Sequence, residues 1–341
     1  MFSFTRGRGL AGIAAVLFAS GCAAGSVPAG NSAQSSTLAA AARAVSAGYR
    51  MYRGPEVAGP LFLPAAPPSL GPGYILPAAK KKPTLFVAWI DAGIVYLYDP
   101  STPNPAPVGQ ITAGLKGPAG LAIDSAGTLY VANISNSTVT EYLAGQTSVH
   151  ATISAGIDGP YGIAVDSKGN VFVSNLNNNT VTGYHAHKST PFETIPQSAF
   201  GPNSQPLGLA ADSHDNVWVA SDSTNAVYEI PRGSSTPKNS GITGLSGPIG
   251  VAFGSKDTLY VSSFSSNVDG IYPSGKTSPT RTLTNGISAP TLNGLTAAGA
   301  FFQAEQIGYV EGYKAGASSP FSKIGYTGRP LGIASSPKLV P

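Results

Sequence analysis

Six side chains recur along this chain at intervals of 42–46 residues: Trp89, Asn133, Asn175, Ser221, Ser263 and Glu305. Each closes a short apolar run, so all six share one end of a repeated element. They comprise one carboxylate, two amides, two hydroxyls and an indole. Hard cations need several convergent oxygens, usually with carboxylates among them. The set therefore suits a neutral ligand better than a metal ion, and no cofactor is expected. The four histidines add nothing to a metal site. His150 falls on an outer run, His185 and His187 follow a third run, and His214 sits in a turn, none in register with the six positions. Asp124, Asp166 and Asp212 form a second repeated acid set. Each ends an apolar run ahead of a Ser-containing turn, where an Asp carboxylate accepts backbone N–H groups two residues on. Gly254, Ala298 and Ser336 take that place in other copies, which a shared ligand set would not allow. No Gly-x-Ser-x-Gly elbow, His-Glu-x-x-His pair or glycine-rich phosphate loop is present.

The elements that carry these residues repeat. Pro-x-Gly, an apolar run, a polar turn and a second apolar run begin at Gly117, Gly159, Gln205, Gly247, Ala289 and Arg329. A period of 40–46 residues is the length of a four-stranded propeller blade. In the second copy the runs 162–165, 171–174, 180–184 and 191–195 are rich in Val, Ile and Tyr and bounded by Asp-Ser-x-Gly and Asn-rich turns, so they read as four strands. No stretch past the N-terminus carries apolar residues at helical spacing. The sixth copy stops after its first strand, 332–335, whereas 84–111 holds a second, third and fourth strand without a first. Joining the two completes a blade and removes the exposed sheet edge of an open array. The expectation is an all-β, six-bladed β-propeller over 83–341, closed by pairing the C-terminal strand with the first blade.

The repeat P-x-G-[LI]-A-x-D-S-x-G-x-[LV]-[YFW]-V-[AS]-[NS] resembles the NHL-type, gluconolactonase-like and virginiamycin-lyase-like propellers over about three-quarters of the chain. The resemblance is specific for fold and weak for function, because such folds host lactonases, lyases and inert platforms alike. It implies a central site: a cation on Glu, Asp and Asn in the gluconolactonase-like enzymes, or a His and Glu arrangement with a metal in the lyases. With Glu305 the single acid in the repeated ring, the expected function is non-catalytic binding. The rival is a metal-dependent lactonase, hydrolase or lyase with Glu305 as the surviving acid.

Asn- and Ser-rich clusters at 133–137, 175–179, 222–225 and 263–267 join second and third strands and share a face with the Gly-Pro loops and Tyr161. An uncharged, amide-rich face with Trp89 and Tyr161 for stacking would take a protein segment or an envelope carbohydrate. Tyr130, Phe172, Trp218, Tyr260 and Phe302 recur at one position and are expected to pack between blades.

Charged residues are only 11% of the chain, the net charge is +4, and no basic stripe with interleaved aromatics suggests a nucleic-acid partner. Arg6 and Arg8 precede an apolar stretch, 10–19, too short to span a membrane, and then Cys22, the one cysteine. This resembles a bacterial lipobox, with Ala19 where Leu is usual. It implies a signal peptide over 1–21, lipidation of Cys22, and an Ala/Gly/Ser/Pro-rich tether over 22–82. Part of that tether, 61–77, is apolar enough to pack along the ring. Export with lipid anchoring in the cell envelope follows, at the outer membrane because Ala23 rather than Asp comes next, with secretion as the other outcome.

Overall fold

The computed structural model of this chain describes residues 73–76, 79–326 and 328–337. The expected signal sequence, Cys22 and most of the tether lie outside them. Within them the chain forms six antiparallel sheets arranged as the blades of a propeller.

Blade 1 combines both chain ends. Its second, third and outer strands are Thr84–Trp89, Ile94–Tyr98 and Gly109–Ile111, and Pro330–Ser336 supplies the inner one. The closing pair is antiparallel, with Phe86 opposite Ala334 and Val87 opposite Ile333. Blade 2 runs Pro118–Ile123, Leu129–Asn133, Thr138–Tyr142, Ala151–Ile153; blade 3 Pro160–Val165, Val171–Asn175, Thr180–Tyr184, Pro191–Ile195. Blade 4 runs Pro206–Ala211, Val217–Ser221, Ala226–Ile230, Lys238–Asn239; blade 5 Pro248–Phe253, Leu259–Ser263, Val268–Tyr272, Arg281–Leu283. Blade 6 is Pro290–Leu295, Phe301–Glu305, Tyr309–Tyr313, Ser322–Gly325. One detail goes further than the expectation that the apolar part of the tether, 61–77, packs along the ring. Tyr74 and Ile75, assigned by sequence to the tether, pair with Gln110 and Gly109 and give blade 1 a fifth, outermost strand. An apolar pair on an open edge gains both ladder bonds and burial against Val108 and Ile111.

The blades are held by side chains that alternate across each strand and meet the next sheet. Phe86, Leu97 and Ile111 of blade 1 pack with Leu121, Leu129 and Val131 of blade 2. Each such side chain contributes about 1.5–3 kcal/mol on burial. The aromatic position behaves as expected. Tyr130, Phe172, Trp218 and Tyr260 stand opposite Ala122, Ala164, Ala210 and Ala252, and Phe302 opposite Gly294, so a large ring lies over a small residue each time.

The inner strands decide what reaches the centre. Gly120, Gly162, Gly208, Gly250 and Gly332 occupy one repeat position. A Cβ on Gly162 would lie 2.2 Å from the Leu207 carbonyl oxygen, and on Gly332 2.0 Å from that of Ala119. Neighbouring inner strands thus approach so closely that only glycine fits. In blade 6 the register, Pro290 opposite Glu305 and Asn293 opposite Gln303, puts Leu292 at this position. Its side chain reaches across the space the glycines leave, since a Cβ on Gly208 would be 3.1 Å from Leu292 Cδ2. Leu292, Tyr161, Leu207 and Ile249 form one buried apolar cluster that plugs the ring.

Candidate functional site

Each of the six repeated side chains ends the second strand of its own blade, and each is buried rather than presented on the face. Trp89, Asn133, Asn175 and Ser221 are each 0% exposed, Ser263 2% and Glu305 1%. Four of them hold the loop that enters their own blade. Asn133 Oδ1 accepts the Lys116 N–H at 3.0 Å, and Asn175 Oδ1 that of Asp158 at 3.0 Å. Ser221 Oγ accepts from Gln205, and Glu305 Oε2 from Ser288. The asparagine amides are also spent, Asn133 Nδ2 donating to Thr140 and Asn175 Nδ2 to Thr180 and Thr182. The expected stacking platform is likewise closed. Trp89 packs edge-on against Tyr326 with centroids 5.4 Å apart, and Tyr161, 6% exposed, belongs to the central plug. Burial of the Asn133, Asn175, Ser221 and Glu305 acceptors is tolerable because each meets a loop N–H that would otherwise be stranded.

The Asn and Ser clusters mostly build the face itself. Ser137, Asn179, Asn225 and Asn267, the last residue of each turn, adopt φ of 52–56°, the left-handed region that Asn tolerates well. Three of them also pin the next blade: Ser137 Oγ accepts the Gly159 N–H, Asn225 Oδ1 that of Gly247, and Asn267 Oδ1 that of Ala289. The repeated aspartates are turn caps. Asp166 Oδ1 accepts from Lys168 and Asn170, and Asp212 Oδ1 from His214 and Asn216. In blade 6 the equivalent residue is Thr296, not Ala298: its N–H bonds to Ala300 and its hydroxyl accepts the Ala300 N–H.

What the loop face offers at its centre is apolar. Ile134, Leu176 and Phe264 each follow the buried side chain that ends a second strand. With Leu331 they pack, half-buried, around the plug. Exposed Ser135, Asn136, Asn177, Asn178, Ser265 and Ser266 surround them. Sequence reasoning passed over these apolar residues because it weighed the polar ones beside them. The signal was present, since Ile134, Leu176 and Phe264 share a repeat position inside polar turns. At that position blade 4 carries Asp222.

A second feature lies at the seam between blades 5 and 6. Five blades place valine at one third-strand position: Val95, Val139, Val181, Val227 and Val310. In blade 5 it is Asp269, opposite Ser262. Blade 6 departs too, pairing Gln303 with Asn293 where the other blades pair valine with Leu, Ile or Val. Ser262 Oγ donates to Gln303 Oε1 at 2.5 Å and accepts from Asn293 Nδ2 at 2.7 Å. Its one hydroxyl hydrogen is thereby used, and both Asp269 oxygens lie buried without a donor. Burial pushes Asp269 up to about 8. Glu305 is pushed up to about 10, by burial first and then by the neighbouring Asp269 carboxyl, with the Ser288 N–H pulling the other way. The pair is neutral and protonated at neutral pH. Glu305 therefore does not stand alone among acids, as the aligned second-strand ends suggested; Asp269 was missed because it lies on the adjacent strand. Glu311, 3.0 Å from Lys323, also acts on it.

These acids are enclosed, so they reach no solvent-borne substrate. The cation of gluconolactonase-like enzymes finds no fitting donor set. Among the described residues no three His, Cys, Asp or Glu side chains are grouped to hold a metal ion, and the amides at the strand ends are committed to loop backbone. Two exposed histidines lie beside single acids instead, His187 by buried Glu141 at 3.6 Å and His214 by Asp257 at 3.5 Å.

No protein-family model matches the chain, and no curated protein matches it by sequence. Solved structures match by fold. A chain from a nidogen/laminin complex superposes with a TM-score of 0.62 at 14% identity, covering 74% of this chain and 98% of that one. A catalytically inactive virginiamycin B lyase from Staphylococcus aureus with quinupristin gives 0.51 at 13% identity, covering 78% and 95%. The dihydro-heme d1 dehydrogenase NirN gives 0.49 at 16% identity, covering 78% and 57%. At these identities the likeness to the first two establishes the six-bladed propeller fold and nothing finer.

Proposed function

We propose that this propeller is a non-catalytic binding module, exported and held to the cell envelope by a lipid on Cys22, that captures a protein segment on its loop face. The observation that carries the reading is the mouth of the ring, where half-buried Ile134, Leu176, Phe264 and Leu331 form an apolar centre inside a rim of neutral amides and hydroxyls. An apolar centre with a polar, wet rim is the anatomy of a protein interface. A carbohydrate would call for exposed rings to stack on, and Trp89 and Tyr161, expected in that role, are both buried, which leaves Phe264 as the one ring among the four apolar residues of the mouth. The lactonase or lyase reading is weaker because Leu292 and its neighbours fill the ring centre and the acid pair is enclosed. The nidogen structure, from a complex with laminin, supports the reading only in that the same fold is found there in a protein complex. The anchor rests on the sequence around Cys22, and mass spectrometry of the membrane fraction tests it by detecting the acylated N-terminal peptide.

The binding test uses peptide display against the purified protein. Selected peptides are expected to share an apolar anchor and to lose binding in a Leu176→Ser/Phe264→Ser variant that melts as the parent does. Selected peptides that bind the double variant unchanged, or glycan binding without peptide binding, would overturn the reading.

A further inference from the structure

The apolar ring at the mouth has one charged interruption. Asp222 follows Ser221 as Ile134 follows Asn133, Leu176 follows Asn175 and Phe264 follows Ser263, so a carboxylate occupies an apolar place beside the plug. It is held there firmly. Asn225 donates its backbone N–H to the Asp222 carbonyl at 3.0 Å, its Nδ2 to the Leu245 carbonyl at 3.1 Å, and its Oδ1 accepts the Gly247 N–H at 2.8 Å. Ser223 Oγ anchors the same turn to the Asn203 carbonyl at 2.6 Å. The carboxylate itself lies close above the start of the next inner strand, 2.8 Å from where a Cβ on Gly247 would sit, and within electrostatic reach of the buried Tyr161 hydroxyl. Among the described residues it accepts no hydrogen bond and joins no ion pair, although half-buried, and burial raises its pKa. The other acids of this face are matched. Asp91 is bound by Arg329 through both oxygens, and Asp158 accepts from Asn177 Nδ2 at 2.8 Å. The cation Lys116 is exposed and sits in the loop entering blade 2 rather than beside Asp222.

A half-buried, preorganised carboxylate without a partner, bordering an apolar patch, is costly alone and favourable once a cation meets it away from water. Resting on the reading of the loop face as a binding surface, we infer that the captured segment pairs an apolar anchor with a neighbouring arginine or lysine that docks on Asp222. The anchor covers Leu176, Phe264 and the plug, and the cation replaces the water around the carboxylate. Asp222 then selects basic segments over neutral ones and repels acidic ones.

The test is a fluorescence titration of the full chain with synthetic peptides, each carrying one Phe anchor and Arg, Gln or Glu at a flanking position. Arg peptides are expected to bind about tenfold tighter than their Gln counterparts, about 1.4 kcal/mol, with Glu peptides weakest. Asp222→Asn, nearly isosteric, should erase the Arg preference, bringing the Arg peptide down to the Gln peptide's affinity, while the variant melts no lower than the parent because the cost of the unpaired carboxylate is gone. In the parent the preference should shrink between 50 and 500 mM salt. Equal binding of Arg and Gln peptides, or an Arg preference that survives Asp222→Asn, overturns the inference and leaves the binding face standing. Absence of binding by every anchored peptide overturns both.

Discussion

Replacing Asp269 by valine, the residue that five blades carry at that position, should stabilise the protein, and by an amount that depends on pH. The folded carboxyl holds its proton up to about pH 8, whereas its ordinary value is 3.8. Between those values the folded state binds a proton that the unfolded chain has released. Stability is therefore complete below about pH 4 and falls as pH rises towards 8, at about 1.4 kcal/mol per pH unit for one group. Over the roughly three units up to pH 7 the accumulated cost is about 4 kcal/mol. Glu305, raised to about 10 from 4.5, adds a second such slope over an overlapping window. Wild-type stability should then decline by about 2.7 kcal/mol per unit between pH 5 and 8, and Asp269→Val should halve that slope. Urea denaturation at pH 5, 6, 7 and 8, on parent and variant, reads both quantities. The variant should gain under about 2 kcal/mol at pH 5 and about 4 at pH 7. Parent stability that holds level or rises from pH 5 to 8, or a variant no more stable than the parent at pH 8, would refute a neutral, proton-bearing pair in this seam.

Three further outcomes follow from the geometry. Gly162→Ala puts a methyl 2.2 Å from the Leu207 carbonyl oxygen, so the ring must open at the axis; the variant should lose several kcal/mol, roughly the scale of core overpacking or more, and a melting temperature within a degree or two of the parent would contradict the close approach. Asn175→Ala strands the Asp158 N–H and should cost about 1–3 kcal/mol by chemical denaturation; no change would mean that the loop keeps its bond another way. Ending the chain at Gly328 removes the inner strand of blade 1, and size-exclusion chromatography should show aggregates in place of the parent's discrete peak. A product that elutes as the parent does and unfolds cooperatively would show that ring closure is dispensable.

Much of the fold was legible because propeller blades are short and local. Each strand and turn lies within about 45 residues, so periodicity, Asp caps and Asn turns report directly on them; the four strands of blade 3 were placed within two residues of their observed ends. Closure was legible for the same reason, as two incomplete repeats at opposite ends of the chain complete one blade. The Tyr74–Ile75 strand was not, because two residues carry no period and their pairing is set by an edge built 35 residues later.

The site divides along the same line. Sequence alone determined that Trp89, Asn133, Asn175, Ser221, Ser263 and Glu305 share a position as the strand-end set; the valine column broken by Asp269 and the apolar column interrupted by Asp222 lie in the same repeats but came to notice only through the structure. A repeat sets position and hydrogen-bonding capacity, and these survive alignment without coordinates. Only the tertiary structure decided which way those groups are used. Strand-end amides could face a ligand or their own entering loop, and the stranded N–H groups of that loop claimed them. Likewise the five inner-strand glycines could line an open channel. The approach of neighbouring strands and the single Leu292 side chain filled it instead, leaving the apolar mouth as the surface available to a partner.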